Sequence, residues 1–471
     1  MDGMNDLLRQ LGLAALKGNT RRGAALLLGF AATIAVGCAQ VYFLLQTGYE
    51  INESGDFGSI EAVVFAFFFV GFSCIFVLRY LIILGFAFVE GSKRPNLSPL
   101  YNLQDYPLVS ILIPAYNELE NIEATIRSAV SVQYPNLEVI VVDDGSTDGT
   151  YQRACWLRDS LDFPALSVCG IENGGKSRAL NVAFERCKGE FVMSMDADSA
   201  LDRTAILFMV TKLLANTSLA GCAGQVTIGN TRSVVTYLQQ MEYVQMNGTG
   251  RMFQSYFNTT LIAPGPITLF RRADLEDLVE SRKELPDYQP AQIEGPWEAD
   301  TFAEDAKLSM SLLSLGYGVC FEPAAECTTQ APPSVAVLLN QRYRWVRGNL
   351  QAVRESWKLW SLNSEKRPSF ALWLLWFLLE SVAWPLIDLS GAVMFVFLLT
   401  TTDALSSTVL WYLALIGADL SAAAFACMCC NRRMNIMVFI PLYRMFYGLL
   451  LEANAVLAMF DESRRAGMRW N

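Results

Sequence analysis

The apolar residues of this chain are gathered near its two ends, in runs too long to be core segments of an ordinary globular domain. A bilayer's hydrocarbon interior is about 30 Å thick, and a helix of about 20 apolar residues crosses it. Residues 23–45 form such a run with no charged side chain inside it, preceded by Lys17, Arg21 and Arg22. A second, aromatic-rich run covers 62–89 and is interrupted by Arg79. The loop between them, GYEINESGDFGSIE, has four acidic residues and no Lys or Arg. Basic residues favour the cytoplasmic side, so the N-terminus and the segment from Lys93 are both expected there. No small-residue cleavage site follows a short apolar core, so the first run reads as an uncleaved span and not a signal peptide.

Apolar runs return after Arg367. Residues 370–400 hold Glu380, Pro385 and Asp388, and the first part of this run suits an interfacial position. Residues 406–428 precede Asn431, Arg432 and Arg433. Residues 436–460 contain Arg444 and Glu452; a full crossing here would place Arg464, Arg465 and Arg469 outside, so an interfacial or re-entrant segment is expected. The layout is two spans in 1–92, a cytoplasmic domain in 93–368, and two or three spans in 369–471, a multi-pass inner-membrane protein. Charges inside the spans are expected to face protein or a watery pore.

The chain is 53% hydrophobic and 17% charged, against about 45–50% and about 25% in soluble domains. The net charge of −10 argues against nucleic acid as a partner. Histidine is absent, which excludes an HExxH zinc site and a Ser-His-Asp triad. A general base working near neutral pH is then a carboxylate, a Lys or a Cys. Of the 11 cysteines, Cys427, Cys429 and Cys430 cluster; they read as the end of a membrane helix, with a metal or lipid-attachment site as the alternative.

Between the spans, short apolar stretches alternate with helical ones. LVSILIPA, LEVIVV, 166–169 and 191–195 read as strands, with helices at 119–132 and 179–187 between them. That alternation implies a mainly parallel sheet covered on both faces, with ligands beyond the carboxyl ends of its strands. Those ends carry Tyr116, Asn117 and Glu118, then Asp143 and Asp144 of DDGSTDGT, then Asp196 and Asp198 of DAD. Carboxylates gathered at one edge repel one another unless a divalent cation joins them, and oxygen donors suit Mg²⁺ or Mn²⁺. The plainer alternative is that each Asp caps a turn or helix.

GIENGGKS (170–177) matches the phosphate-loop pattern GxxxxGK[ST]. An NTPase reading is disfavoured, because only about 20 residues separate Lys176 from Asp196 and the match follows the third strand. FAEDAKL places Glu304 and Asp305 side by side at a helix start. QRYRW offers Gln341, Arg344 and Trp345 within a helical stretch at 335–360. An Arg can clamp a diphosphate and a Trp can stack on a sugar; a solvated helix start and plain packing are the alternatives. The stretches 234–257 and 335–360 are amphipathic and expected at the membrane surface, with internal core helices as the alternative.

Together PAYNE, DDGSTDGT, NGGKSRALN, DAD, ED and QxxRW resemble the family 2 inverting glycosyltransferases, in particular their membrane-embedded processive branch of cellulose, chitin, hyaluronan and poly-N-acetylglucosamine synthases. The resemblance implies a GT-A α/β fold flanked by transmembrane helices. By it, Tyr116, Glu118 and Asp144 hold the nucleotide base, Lys176 lies near it, Asp196 meets the ribose, and Asp198 with Asp196 meets the metal. Asp305 corresponds to the base of the TED motif, with Ala303 where Thr is common. Glu304, Gln341, Trp345 and the Gly265–Pro266 segment line the acceptor, and Arg344 the diphosphate. The expected reaction is polymerisation of a UDP-sugar, UDP-N-acetylglucosamine before UDP-glucose, into a polysaccharide that leaves through the protein's own helices. Partners are the donor, the growing chain, membrane lipid and a possible regulatory or export subunit. A single transfer to a lipid-linked acceptor is the alternative; a transporter with a nucleotide-binding domain has no use for Asp305 beside DAD.

Overall fold

In the computed structural model the described residues are 60–93, 105–286, 294–298, 301–401 and 405–464, with isolated positions elsewhere. The first apolar run, 23–45, lies almost wholly outside them. The described residues fall into two compact units, one of 94–236 with 254–375, the other of the segments up to 93, 237–253 and 376 onward.

The first unit is built on an eight-stranded sheet in the order β3-β2-β1-β4-β7-β6-β8-β5. The strands are β1 Val109–Ala115, β2 Leu137–Asp143, β3 Leu166–Gly170, β4 Phe191–Ser194, β5 Ala200–Leu201, β6 Leu219–Ile228, β7 Thr268–Arg271 and β8 Gly318–Thr329. β1 is buried at every position, as an apolar run covered on both faces must be. The half β3-β2-β1-β4 is parallel, as the alternating pattern implies. The far half is mixed, which corrects the expectation of a mainly parallel sheet. β7 runs antiparallel to both β4 and β6, and β5 antiparallel to β8. A four-residue strand shows no periodicity of its own; β7 owes its place to hydrogen-bonding edges on either side.

Seven helices matter for this unit: α1 Ile122–Val130, α2 Thr150–Ser160, α3 Lys176–Arg186, α4 Ala205–Ala215, α5 Arg272–Lys283, α6 Glu304–Ser314 and α7 Val335–Leu362. α1 turns Ile122, Ile126 and Ala129 inward, the spacing of one helical face. The core beside the site joins Leu180 and Phe184 of α3, Leu308 and Leu312 of α6, Leu112, Val142 and Phe270 of the sheet, and Trp297. The chain leaves β1 for β2 on one side and returns to β4 on the other, so the carboxyl ends of β1 and β4 flank a crevice of the kind that receives ligands.

The second unit is helical. Ile60–Gly91 is one helix of 32 residues, about 48 Å at 1.5 Å per residue. By length and composition, Phe370–Val393 and Met434–Ser463 are able to cross a membrane. The latter is a continuous helical run, so the segment expected to be interfacial or re-entrant has the length of a full crossing. Residues 237–253 also belong to this unit. There Gly248 sits so close to the helix Leu405–Cys429 that a Cβ would lie 2.5 Å from the Ala426 Cα, and Tyr447 donates to Glu242 at 2.6 Å. This stretch therefore packs against helices of the same unit. Cys427, Cys429 and Cys430 are buried and not disulfide-bonded at the end of Leu405–Cys429, a position that suits the helix-terminus reading.

Charges in the apolar helices find one another. Arg79 donates to Glu380 at 2.7 and 2.5 Å and stacks over Trp384 at 4.2 Å. Arg444 meets Asp388 at 2.7 Å and Asp419 at 3.7 Å, and Tyr80 donates to Asp419. Glu380 and Arg444 both lie in π-helical turns, Leu379–Ala383 and Tyr443–Tyr447. Pro385 follows the first of these, where its missing N–H leaves a carbonyl of the preceding turn without its usual donor. Removing one partner of a buried pair strands the other charge. Arg444→Leu is expected to destabilise the protein by about 3–5 kcal/mol and Arg444→Lys by much less, read as thermal unfolding in detergent.

Candidate active site

The loops after β1 and β2 are laced together by side chains that the sequence pattern alone could assign only as turn formers. Asn117 adopts φ 54°, a left-handed conformation that Asn tolerates. Its N–H donates to Ser146 Oγ at 2.9 Å, and its Oδ1 accepts from Thr147 N at 2.9 Å. Asp143 accepts from Ser146 N, and Asp148 accepts from Leu119 N and Thr150 N. These two carboxylates are structural, the capping alternative. Tyr116 stands 51% exposed at the crevice, its ring free to stack on a flat ligand. Glu118 accepts from Asn121 at 2.7 Å.

Asp144 is buried, and its two oxygens accept from Gly174 N at 2.8 Å and Gly175 N at 2.7 Å. It thereby holds the glycine turn that opens α3. The same bonds dispose of the phosphate-loop reading, since the amides that would cradle a phosphate are already occupied. Gly175 has φ 90°, a conformation that suits glycine.

Lys176, the first residue of α3, reaches across the crevice. Its Nζ lies 2.7 Å from Asp196 Oδ1 and 2.7 Å from Glu304 Oε1. Burial opposes its charge, but the two carboxylates outweigh that and hold the ammonium well above the usual lysine range. The ammonium thus fastens the DAD turn after β4 to the start of α6. Gly265 lies against this bridge; a Cβ there would come within 3.1 Å of Lys176 Nζ. Pro266 is partly exposed and its carbonyl accepts from Cys327 Sγ.

Asp305 follows Glu304 in the first turn of α6. Its Oδ2 accepts from Gly265 N at 3.2 Å and its Oδ1 from Ala306 N at 2.8 Å. Burial and the neighbouring Glu304 carboxylate push its acid up to about 6, against the pull of Lys176 and those two N–H groups. Lys176, Glu304, Asp305 and Gly265 form the polar mouth of a recess floored by Leu180, Phe270, Trp297 and Leu308. Trp297 carries no sequence signal; it is held by a pair of bonds between its backbone and the Asn181 side chain.

Asp198 accepts from Ser199 and Thr329 hydroxyls at 3.2 and 3.3 Å. Burial, then Asp196 and Glu118, push its acid up to about 6. That surplus of negative charge is what a divalent cation would offset. Among the described residues no three carboxylates or thiols form a closed cage. One or two carboxylates completed by substrate phosphates is the usual pattern for Mg²⁺, so the donor set fits.

QRYRW lies on α7, capped by Ser334, whose Oγ accepts from Val337 N. Arg344 is exposed, and its charge helps Lys176 hold Glu304 below the usual carboxylate range against burial. Arg342, which the pattern QxxRW leaves unassigned, is buried; it donates to Gln341 Oε1 at 2.6 Å and lies 4.1 Å from the Trp345 ring centre. It braces the two motif residues from within.

The family model described as glycosyltransferase like family 2 matches residues 107–348, just over half of the chain, and the chain belongs to that family. It is a glycosyltransferase with a GT-A fold whose sheet is mixed. A poly-beta-1,6-N-acetyl-D-glucosamine synthase from Staphylococcus epidermidis is 29% identical over 306 residues, covering 64% of this chain and 68% of that protein. The synthase of the same name from Staphylococcus aureus (strain COL) is 27% identical over 282 residues, 60% of this chain and 63% of its own. A mannosyltransferase from Pyrobaculum calidifontis, solved in complex with GDP-Man and Mn²⁺, aligns with a TM-score of 0.54 over 93% of this chain and 100% of that one, at 18% identity. At that identity the likeness is one of fold.

Asp144→Ala removes two charge-assisted bonds to backbone N–H groups, each worth about 1.5–3 kcal/mol. It is expected to lower thermal stability measurably and to weaken UDP binding through loss of the ordered glycine turn. Calorimetric titration with UDP checks the second effect.

Proposed function

We propose that this enzyme polymerises UDP-N-acetylglucosamine into a β-linked polysaccharide by a metal-dependent, inverting, processive reaction, and passes the product through its helical unit. The observation that carries the reading is the Lys176 bridge. It sets a partly exposed carboxylate, Asp305, whose acid is weakened and held up to about 6, one residue from a group tied directly to the DAD turn. The names of the staphylococcal relatives support the sugar and the polymer. The two helices of crossing length support an integral, multi-pass place in the inner membrane among lipid. A small regulatory or export subunit remains part of the reading.

On this reading the roles are as follows. Tyr116 stacks on the nucleotide base, with Glu118 and the turn held by Asp144 beside it. The diphosphate lies along Asp196 and Asp198, and Arg344 meets its outer charge. Mg²⁺ or Mn²⁺ held by Asp198 and Asp196 would supply Lewis-acid neutralisation of the leaving diphosphate. Glu304, Gln341, Trp345 and the Gly265–Pro266 segment position the end of the growing chain. Asp305 Oδ takes the proton from the acceptor hydroxyl as its oxygen attacks the anomeric carbon. Direct attack on an α-linked donor gives a β-linked product and releases UDP.

A base works only in its ionised form. Asp305 is held at about 6, so kcat is expected to be full above that pH and to fall about tenfold per unit below it. A flat kcat from pH 5 to 7 contradicts the assignment. Asp305→Asn is expected to lose at least about a hundredfold in transfer with UDP affinity nearly unchanged; normal synthesis by that variant refutes the reading. Incubation with single radiolabelled UDP-sugars and Mg²⁺ or Mn²⁺, followed by sizing of the product, separates polymerisation from one transfer to a lipid-linked acceptor and N-acetylglucosamine from glucose.

A further inference from the structure

α7 carries a glycine in the middle of a buried stretch, at position 348. Glycine in a helix interior costs about 1 kcal/mol relative to alanine, so its presence there asks for a physical reason. A Cβ at 348 would lie 2.7 Å from the Ala303 Cβ, 2.7 Å from Ala303 N and 2.9 Å from Phe302 C. Two of those three atoms are backbone and have no rotamer by which to give way. The bare helix face at Gly348 therefore touches the chain where it enters α6.

That contact falls between the two catalytic motifs. Ala303 is the N-cap of α6. Its carbonyl accepts the first bond of the helix, from Lys307 N at 3.0 Å, and Asp305 is two residues further on. Gln341, Arg344, Trp345 and Gly348 recur at helical spacing, so they share one face of α7. Gly348 is one turn beyond Arg344, about 6 Å along the axis at 1.5 Å per residue. Arg347 beside it is buried, with its guanidinium 6.0 Å from the centre of the Phe302 ring.

We propose that Gly348 and Ala303 form a spacer that fixes the distance between the QxxRW face of α7 and the carboxylate of Asp305. They are positioning residues for proton removal from the acceptor. The absence of a Cβ at 348 and the presence of only a methyl at 303 let the helix start approach until Asp305 and the acceptor platform share one crevice. Alanine in place of the threonine common in the family then has a local fit, because a larger side chain at 303 must find room against the Gly348 backbone. The inference rests on Asp305 as the base, and it names what sets that base's reach.

Gly348→Ala pushes the N-cap of α6 away from α7. A misplacement of about 1 Å costs about a hundredfold in rate, so kcat is expected to fall about 10- to 100-fold. The affinity for UDP, most of whose proposed contacts come from the loops after β1 and β2 with only Arg344 on α7, should change far less than kcat, and the acid limb of kcat near pH 6 should move. The double variant Ala303→Gly with Gly348→Ala removes one of the three close contacts and should recover part of the lost kcat. If Gly348→Ala proves too unstable to assay, Ala303→Val approaches the same contact from the other side and should show the same split between kcat and UDP affinity. Unchanged kcat in Gly348→Ala overturns the proposal. So does a loss shared equally by kcat, UDP binding and thermal stability with no recovery in the double variant. An inactive Asp305→Asn beside a fully active Gly348→Ala would leave the base in place and remove the spacer; a fully active Asp305→Asn would remove the base itself.

Discussion

The ammonium of Lys176 is the interaction on which the site depends. Three acidic groups from two distant parts of the chain, Asp196 and the adjacent pair Glu304 and Asp305, crowd one end of the sheet. Without a cation among them their mutual repulsion would open the crevice or force protons onto them. Lys176 binds two of the three at 2.7 Å each, which leaves Asp305 as the one among them whose acid is weakened, held up to about 6. One side chain thus both assembles the pocket and separates the chemistry of its members: Glu304 is kept ionised and occupied, while Asp305 stays able to exchange a proton. Asp144 serves the same end from behind, by holding the turn from which Lys176 projects.

A comparable economy of charge holds in the helical unit. Arg79, Glu380, Asp388, Asp419 and Arg444 would each be costly alone among apolar helices. In pairs they act as cross-links whose geometry leaves little freedom of register between the helices that bear them. Glu380 and Arg444 project from π-helical turns, where the widened backbone redirects a side chain that a regular helix would aim elsewhere. Stability and shape in this unit therefore come from a few directed contacts as much as from apolar packing.

Much of the site was legible beforehand because catalysis uses residue types that a soluble core avoids. Carboxylates at the ends of apolar strands, an adjacent ED pair and an Arg-Trp pair on a helix are conspicuous against that background. What stayed hidden has no such contrast. Trp297 reads as any buried aromatic until its backbone is seen pinned by Asn181 at the floor of the recess. Arg342 reads as a surface charge until it is found buried behind Gln341 and Trp345. β7 is too short to carry a period, and with it went the mixed character of the sheet. The stretch 234–257 has an amphipathic pattern that says nothing of which helix it meets, and only the fold brings Gly248 against Ala426.

The amino-acid sequence by itself determined the order of parts and the chemistry on offer: apolar runs at both ends, an alternating α/β segment between them, no histidine, and a set of acids at predictable strand ends. Periodicity and composition are local properties, and a linear string displays them in full. Which acids meet, which are spent on holding turns, and which stays outside the Lys176 bridge were decided only by the tertiary structure. Those outcomes depend on distances of a few ångströms between residues more than a hundred positions apart, such as Lys176 and Glu304 or Asp198 and Thr329. Electrostatic interaction falls with distance in space and is indifferent to distance along the chain, so the roles of these side chains exist only once the chain has folded.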